Sequence, residues 1–398
     1  MKPLLLSGFG ININVNGRKL IIHKHQTNEK IEFYPHQIPY DNIIIDGYYG
    51  LVSFEAMRWL SKHGITLSLL NWDGNLLSVM LPSEPISGRL KIKQYESYLD
   101  NVKRLLIAEK IIDKKIEKSF ELLSELSKFC KEINKTIIDN AFSYEKQTYL
   151  RNTVNKNIKI LMAYEGRIAD IYWKALSKIF NTLYPEFNFK NRKNKSYSHG
   201  MNASDYVNAL LNYGYAILES VIRKDINVIG LDSNVGFLHE INVSKTPLVY
   251  DLQELYRWLI DLSVIQVLED KKLKKSDFIV TENYHIRLRE NAARQLLEKI
   301  TLNFDKRTEL RGKMHTYDNV LLENVRNLAK YIENNERALE FDIPKVELSR
   351  NDNTEARDNI MSITPEERKR LEINKSTLWY RQKAIREGKR IKLYNKKH

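Results

Sequence analysis

Cysteine is almost missing from this chain. Cys130 is the only one in 398 residues, so no intrachain disulfide can form and no zinc site can be built on thiolates. That usage fits a reducing compartment, and a cytoplasmic location is expected. Cys130 itself falls in a helical pattern and is expected in the core. Long apolar runs are missing too. None reaches the roughly 18 residues that would suggest a bilayer span, and the opening Met1-Lys2-Pro3-Leu4-Leu5-Leu6 is too short an apolar run for a secretion signal. No membrane partner is expected. Acid is scarce relative to base: 50 Asp and Glu stand against 64 Lys and Arg, a net charge of +14. Such an excess favours polyanions, because phosphate contacts release condensed counterions. A solvated cationic surface would have the same composition.

What is present suits two or three domains with sizeable cores, since 42% of the residues are hydrophobic. The fold class expected is α+β. Residues 1–88 read as a small β-rich domain, with strands at Ile11 to Val15, Lys19 to His23, Ile31 to Tyr34 and Asn42 to Asp46. Ser53 looks like the cap of a short helix that Gly64 stops. Thr66 to Asn71 and Leu76 to Met80 flank a turn at 72–75 and predict a hairpin. From residue 89 the apolar period becomes helical, and 89–343 reads as a large all-α domain with helices over 89–131, 147–180, 204–224, 247–270, 285–301 and 315–340. Residues 344–363 are polar and read as a linker; 364–398 form a separate unit.

Three segments of the helical part carry candidate chemistry. Glu165 shares a helical stripe with Ala169 and Tyr172, which should face inward. A buried carboxylate needs a partner or a cation; a place at a helix terminus or a pair with Arg167 is the plainer account. His239 follows the turn-rich Gly230 to Gly236 and could be aimed into a cleft, or be an ordinary core or surface histidine. Asp251 and Glu254 stand three apart on one helical face behind Pro247. Two like charges at that spacing need a cation nearby; a solvated face or a salt bridge to Arg257 would also serve. Together the segments supply carboxylates and one neutral imidazole, a donor set for Mg²⁺ or, with its nitrogen, Mn²⁺. Such an ion activates an oxygen nucleophile and stabilises a leaving oxygen, which is phosphodiester chemistry. Arg192, Lys193 and Lys195 lie in a basic stretch with aromatic and hydroxyl neighbours that suits a phosphate track; a flexible solvated loop is the alternative.

These residues resemble those of a known family, the CRISPR-associated integrases of the Cas1 type. The resemblance rests on Glu165-Gly166 with Tyr172-Trp173 downstream, the run Asn208 to Tyr215, Gly236-Phe237-Leu238-His239, Tyr250-Asp251-Leu252-Gln253-Glu254, and Ile44 to Gly47 with Gly64-Ile65. It covers roughly residues 1–300. It implies an N-terminal domain that dimerises and a helical catalytic domain. It also implies metal ligands at Glu165, His239 and Glu254, with Asp251 close by, either supporting a ligand from behind or serving as an alternate ligand. The reaction implied is attack of a DNA 3′-hydroxyl on a target phosphodiester.

The C-terminus departs from that pattern. Residues 361–398 hold 12 Lys and Arg against 4 Asp and Glu. Thr364-Pro365-Glu366-Glu367 is a helix start with its cap, proline and acidic first turn. A turn at 372–374 and a second helix from Lys375 or Ser376 to Glu387 complete a helix-turn-helix pattern, with Ser376, Thr377, Tyr380, Arg381 and Lys383 facing outward towards DNA. A basic solvated tail is the alternative. A Cas1-like core with such an extension is similar to the casposases, the transposases of casposons. That resemblance implies an integrase acting on double-stranded DNA as a homodimer, or a tetramer on DNA, without the Cas2 adapter. A spacer-acquisition integrase would need that adapter. A third reading is a DNA-binding regulator with a purely structural acidic cluster.

Overall fold

A two-residue loop opens the β-rich part. The Asn-Gly signal places Gly17 and Arg18 at φ 56° and 66°, the left-handed pair that a type I′ hairpin requires. It joins β2 (Ile11–Asn16) to β3 (Lys19–Lys24), and Trp59 Nε1 donates to the Arg18 carbonyl at 3.0 Å. The structure is a computed structural model that describes residues 2–71, 73–85, 87–130, 133–151, 156–192, 203–241, 246–281, 285–333 and 338–348, together with Trp379 and Gln382. The chain divides into two compact units, Met1–Val346 and Glu347–His398. The helix-turn-helix reading of 364–398 lies outside the described residues, apart from Trp379 and Gln382, which are both helical.

In the first unit two four-stranded sheets sandwich a small core. One has the order β4 (Glu29–Phe33), β3, β2, β6 (Gly50–Val52). The other has the order β1 (Pro3–Ser7), β5 (Asn42–Asp46), β7 (Thr66–Leu70), β8 (Leu76–Met80). Strand β1 was not expected; its run of three leucines has no alternation, and it is made by parallel pairing to β5. Between the sheets Leu6, Ile13, Leu20, Ile22 and Ile43 pack with Trp59 and Leu60 of α1 (Phe54–Lys62). Ser53 caps α1 by accepting from Ala56 N at 3.1 Å, and Gly64 at φ 69° follows its end, as expected.

Three of the expected helical stretches are interrupted. The stretch 89–131 is two helices, α2 (Gly88–Leu99) and α3 (Asn101–Leu126). Asp100 between them accepts from Val102 N and Lys103 N, so it caps the second helix as it ends the first. Cys130 lies beyond the end of α3 and is half-buried, not in the core. The helix expected at 147–180 is α4 (Lys135–Arg151) and α5 (Ile158–Leu183), the latter capped by Asn157. The one expected at 247–270 is α7 (Pro247–Gln253) and α8 (Arg257–Glu269). There Tyr256 takes φ −124° and ψ 3°, and the Trp258 ring N–H donates to the Leu255 carbonyl. Before them runs α6 (Tyr206–Ile229), buried almost all round, with Gly214 so close to Ile260 of α8 that a Cβ would meet Ile260 Cγ2 at 2.5 Å.

The domain is not purely α. Two hairpins, β9 (Phe278–Val280) with β10 (Ile286–Leu288) and β11 (Arg307–Leu310) with β12 (Lys313–Thr316), precede α9 (Glu290–Asp305) and α10 (Tyr317–Glu333). Residues 338–348 follow α10 without regular structure. Leu339, Phe341, Ile343 and Val346 are buried, and Lys118 of α3 donates to the Pro344 carbonyl. Among the described residues no helix is long and apolar enough to cross a membrane.

Helix α6 also ties the sheets to the helices. Asn42 of β5 donates to Ser220 at 3.1 Å, and Lys224 pairs with Asp41. The next residue, Asp225, is buried, and its Oδ2 meets no hydrogen-bond donor. Burial, then the charge of Asp318, push its carboxyl up to about 8, with Lys224 pulling the other way. Its unfolded value lies near 4, so the folded chain binds the proton more tightly. Stability must therefore fall as pH rises from about 4 to 8. Asp225→Asn is expected to melt above the wild type at pH 8, by about 2–4 °C for each kcal/mol recovered, with the gap closing towards pH 4. Equal melting temperatures across that range would refute the assignment.

Candidate active site

Glu165 arrives on α5, one turn before Ala169. Its partner is not Arg167, which pairs with Glu145 at 2.5 Å. Glu165 Oε1 lies 2.5 Å from Nζ of Lys115 on α3. The same ammonium lies 2.5 Å from Glu254 Oε2. Glu254 stands where α7 gives out, and its Oε1 accepts from Arg257 Nε at 2.9 Å. The Arg257 pair considered for Glu254 is thus present, and Glu254 lines the cleft as well. Burial alone would push the Glu254 carboxyl up, but the charges of Arg257 and Lys115 outweigh it and hold it at about 2. Burial likewise opposes the charge on Lys115, yet Glu254 and Glu165 raise it above the ordinary lysine value. Glu254 Oε2, though buried, makes no hydrogen bond of proper angle.

His239 is placed by a buried carboxylate. Asp251 on α7 is wholly inaccessible, and its Oδ2 accepts from Phe237 N at 2.5 Å and Leu238 N at 3.0 Å. Its Oδ1 accepts from His239 N at 3.0 Å and meets His239 Nδ1 at 2.7 Å. A carboxylate that takes three backbone N–H groups acts as an acceptor, so Nδ1 carries the proton and Nε2 is left as the basic nitrogen. Burial lowers the histidine's proton affinity, but the hydrogen bond and charge of Asp251, with Glu254 beyond, raise it overall. Gly236 makes this approach possible: a Cβ there would meet Asp251 Oδ2 at 2.7 Å and the Pro247 backbone at 2.8 Å.

The two carboxylates and the imidazole share one cleft of about 930 Å³, also lined by Lys115, Arg192 and Arg257. Asp251 does not line it; it stands behind His239. Arg192 is fixed, donating to Asn208 and Asn212 at 2.7 Å each, and its guanidinium lies 5.1 Å from the Tyr215 ring centre. Arg257 lies 4.6 Å from the same ring. The hydroxyls of Tyr215 and Tyr172 both donate to Asp261 of α8, at 2.5 and 2.7 Å. Burial pushes the Asp261 carboxyl up to about 6, while those two hydroxyls and the arginines pull it down. Neither Lys115 nor Asp261 was expected at the site. Asp261 had a signal, a single charge inside the apolar run Trp258 to Leu268; Lys115 had none. Lys193, Lys195, Ser376, Thr377, Tyr380, Arg381 and Lys383 lie outside the described residues. Among the described residues no three His, Cys, Asp or Glu side chains form a group that could hold a metal ion. Lys115 stands between the two carboxylates.

A β-rich N-terminal part with a helical part that carries Glu165, His239 and Glu254 into one cleft defines a class. The sequence model of the family described as CRISPR associated protein Cas1 matches residues 4–301, and the chain belongs to that family. It is similar to the CRISPR-associated endonuclease Cas1 1 of Archaeoglobus fulgidus, 26% identical over 84% of this chain and 97% of that one. It is also similar to the CRISPR-associated endonuclease Cas1 1 of Francisella tularensis subsp. novicida, 30% identical over 69% of this chain and 81% of that one. Among solved structures it is similar to a casposase bound to integration product. That likeness has 39% identity and a TM-score of 0.81, and it covers 91% of this chain and 99% of that one.

Proposed function

We propose that the cleft is the active site of a casposase-like DNA integrase and endonuclease, which joins a DNA 3′-hydroxyl to a phosphodiester of a target duplex. One observation carries this reading. Carboxylates from two helices remote in sequence meet within reach of a single cation, in the cleft that His239 enters. A structural acidic cluster in a regulator would have no need of a tautomer-locked imidazole beside it.

By donor type the set suits a divalent ion, Mg²⁺ or Mn²⁺, although with the Lys115 ammonium between the carboxylates the three side chains as placed do not form a metal-holding group. Glu165, Glu254 and His239 Nε2 would hold it, and the buried Glu254 Oε2, which meets the Lys115 ammonium at 2.5 Å, is a ligand atom of the right kind. Such an ion, when bound, lowers the pKa of an attacking hydroxyl or water and offsets charge on the leaving oxygen. The rest is done by the chain. Asp251 keeps the proton on Nδ1 and so keeps Nε2 basic. Arg192, pinned by two asparagines, and Arg257, pinned by Glu254, present fixed positive charge to a phosphate path. Asp251 is a positioning residue in this reading. The β-rich part serves as the dimer surface, and residues 364–398 as the reader of the DNA ends.

The casposase reading is supported by 39% identity to a casposase over more of the chain than the family match spans. The test is strand joining by the purified full-length protein alone, with a short duplex bearing a free 3′-hydroxyl, a supercoiled plasmid and Mn²⁺ or Mg²⁺. Joining is expected from the wild type and is expected to be lost in Glu165→Ala and His239→Ala. Truncation before Thr364 is expected to keep joining but relax the choice of end. Joining only after a Cas2-type protein is added would favour the spacer-acquisition reading. Joining that survives both point substitutions would refute the site.

A further inference from the structure

Lys115, the ammonium that both carboxylates reach, has no chemical role in the reading above, yet it holds the centre of the site. Its Nζ lies 2.5 Å from Glu165 and 2.5 Å from Glu254, with the side chain 18% exposed. An ion held jointly by those carboxylates would have to lie between them. Glu254 is already matched on its other oxygen by Arg257, which is itself braced by Gln253 and the Tyr215 ring. The two glutamates and the two cations therefore balance. A divalent ion added to that set would face the ammonium at contact distance, and like charges so close in a partly buried site repel strongly. The arginine is fixed by its fork and its stacking. The lysine is a point charge on a flexible four-carbon stem, whose neighbours Ile112, Ile116 and Ser119 open on the same cleft.

We infer that Lys115 is an internal counter-cation: it occupies the gap between Glu165 and Glu254 in the metal-free protein, and a divalent ion must displace it into the cleft to bind. This rests on the metal reading of the site. It makes Lys115 a positioning residue that keeps the two carboxylates together before the metal arrives, and it weakens metal binding as the cost of that role. Once displaced, the ammonium stays in the cleft, where it faces the path proposed for a phosphate.

The experiment measures Mn²⁺ affinity of the full-length protein without DNA, from the loss of the free-ion paramagnetic resonance signal, alongside melting without metal. Lys115→Met removes the charge and keeps the stem. Lys115→Gln also keeps hydrogen-bonding capacity, should the methionine variant fold poorly. His239→Ala reports whether the ion sits at this site. Both Lys115 variants are expected to bind Mn²⁺ about tenfold tighter, to melt lower without it, and to be stabilised more by it than the wild type. Unchanged or weaker binding in both, with His239→Ala still abolishing it, would overturn the role of Lys115 and leave the metal reading standing. No binding by the wild type or either Lys115 variant would overturn the metal reading and this inference with it.

Discussion

Glu254→Gln is expected to lower stability by roughly 3–5 kcal/mol and to abolish strand joining. The first effect follows from burial. The Glu254 carboxylate is 7% exposed and stands between Lys115 Nζ and Arg257 Nε. Neutralising it leaves Lys115 and Arg257, both largely buried, with Glu165 as their one remaining carboxylate at the site. The amide keeps the shape and one acceptor, so the loss is electrostatic and no cavity is made. The second effect follows from the proposed ligand set, and it should exceed the roughly 10–100-fold typical of a residue one step removed from the metal. Glu254→Asp separates the two. It keeps the charge, and most of the stability, while drawing the carboxylate back from Lys115. Urea denaturation in EDTA reads the first effect and single-turnover joining reads the second. A Gln variant as stable as the wild type would mean that the buried ion pairs do not form. An active one would remove Glu254 from the chemistry.

The two carboxylates of the cleft were visible in the sequence because each is a charge in need of a partner. Glu165 interrupts a stripe that should be apolar, and Glu254 stands three residues from a like charge on one helical face; a charge that calls for a partner is a local signal. Lys115 has no such signal. It lies among the charged residues of α3, and the partner that explains it is 50 residues away. The elements of the β-rich part were legible where short-range chemistry sets them, as in the hairpin at Gly17-Arg18 and the helix between Ser53 and Gly64. Strand β1 was not, because parallel pairing to Asn42–Asp46 makes it, and its own residues carry no period. Two of the missed helix breaks share one cause. The apolar period runs on through Asp100 and through 254–256, because the helices on both sides bury the same face. What stops the helix is a side chain competing for the backbone, Asp100 for two N–H groups and Trp258 for a carbonyl. Periodicity does not detect that competition. The break at 254–256 also matters for the site: it places Asp251 behind the His239 loop and Glu254 in the cleft, although an unbroken helix would hold both on one face.

Asp251→Ala is expected to have an effect on folding as large as that of Glu254→Gln, by a different route. Three backbone N–H groups, of Phe237, Leu238 and His239, and the His239 ring all end on this one carboxylate. Each buried donor left without an acceptor costs about 1–3 kcal/mol. Water entering the space left by the side chain will satisfy some of them, so a total of roughly 3–5 kcal/mol is expected. Asp251→Asn gives the sharper test. Its amide oxygen can still accept, but its NH₂ must face N–H donors on the other side, so one pair of bonds is lost and the ring is no longer held with its proton on Nδ1. With the tautomer free, Nε2 spends part of its time protonated and cannot bind a metal. The variant should therefore stay folded while its Mn²⁺ affinity and its joining rate fall together by roughly 10–100-fold. The ring tautomer can be followed directly by nitrogen NMR of ¹⁵N-labelled histidine in the metal-free protein. An Asn variant that keeps Nδ1 protonated and joins DNA at the wild-type rate would show that the imidazole is positioned by its loop alone. A variant that keeps the tautomer but still loses metal would instead make Asp251 a ligand in its own right.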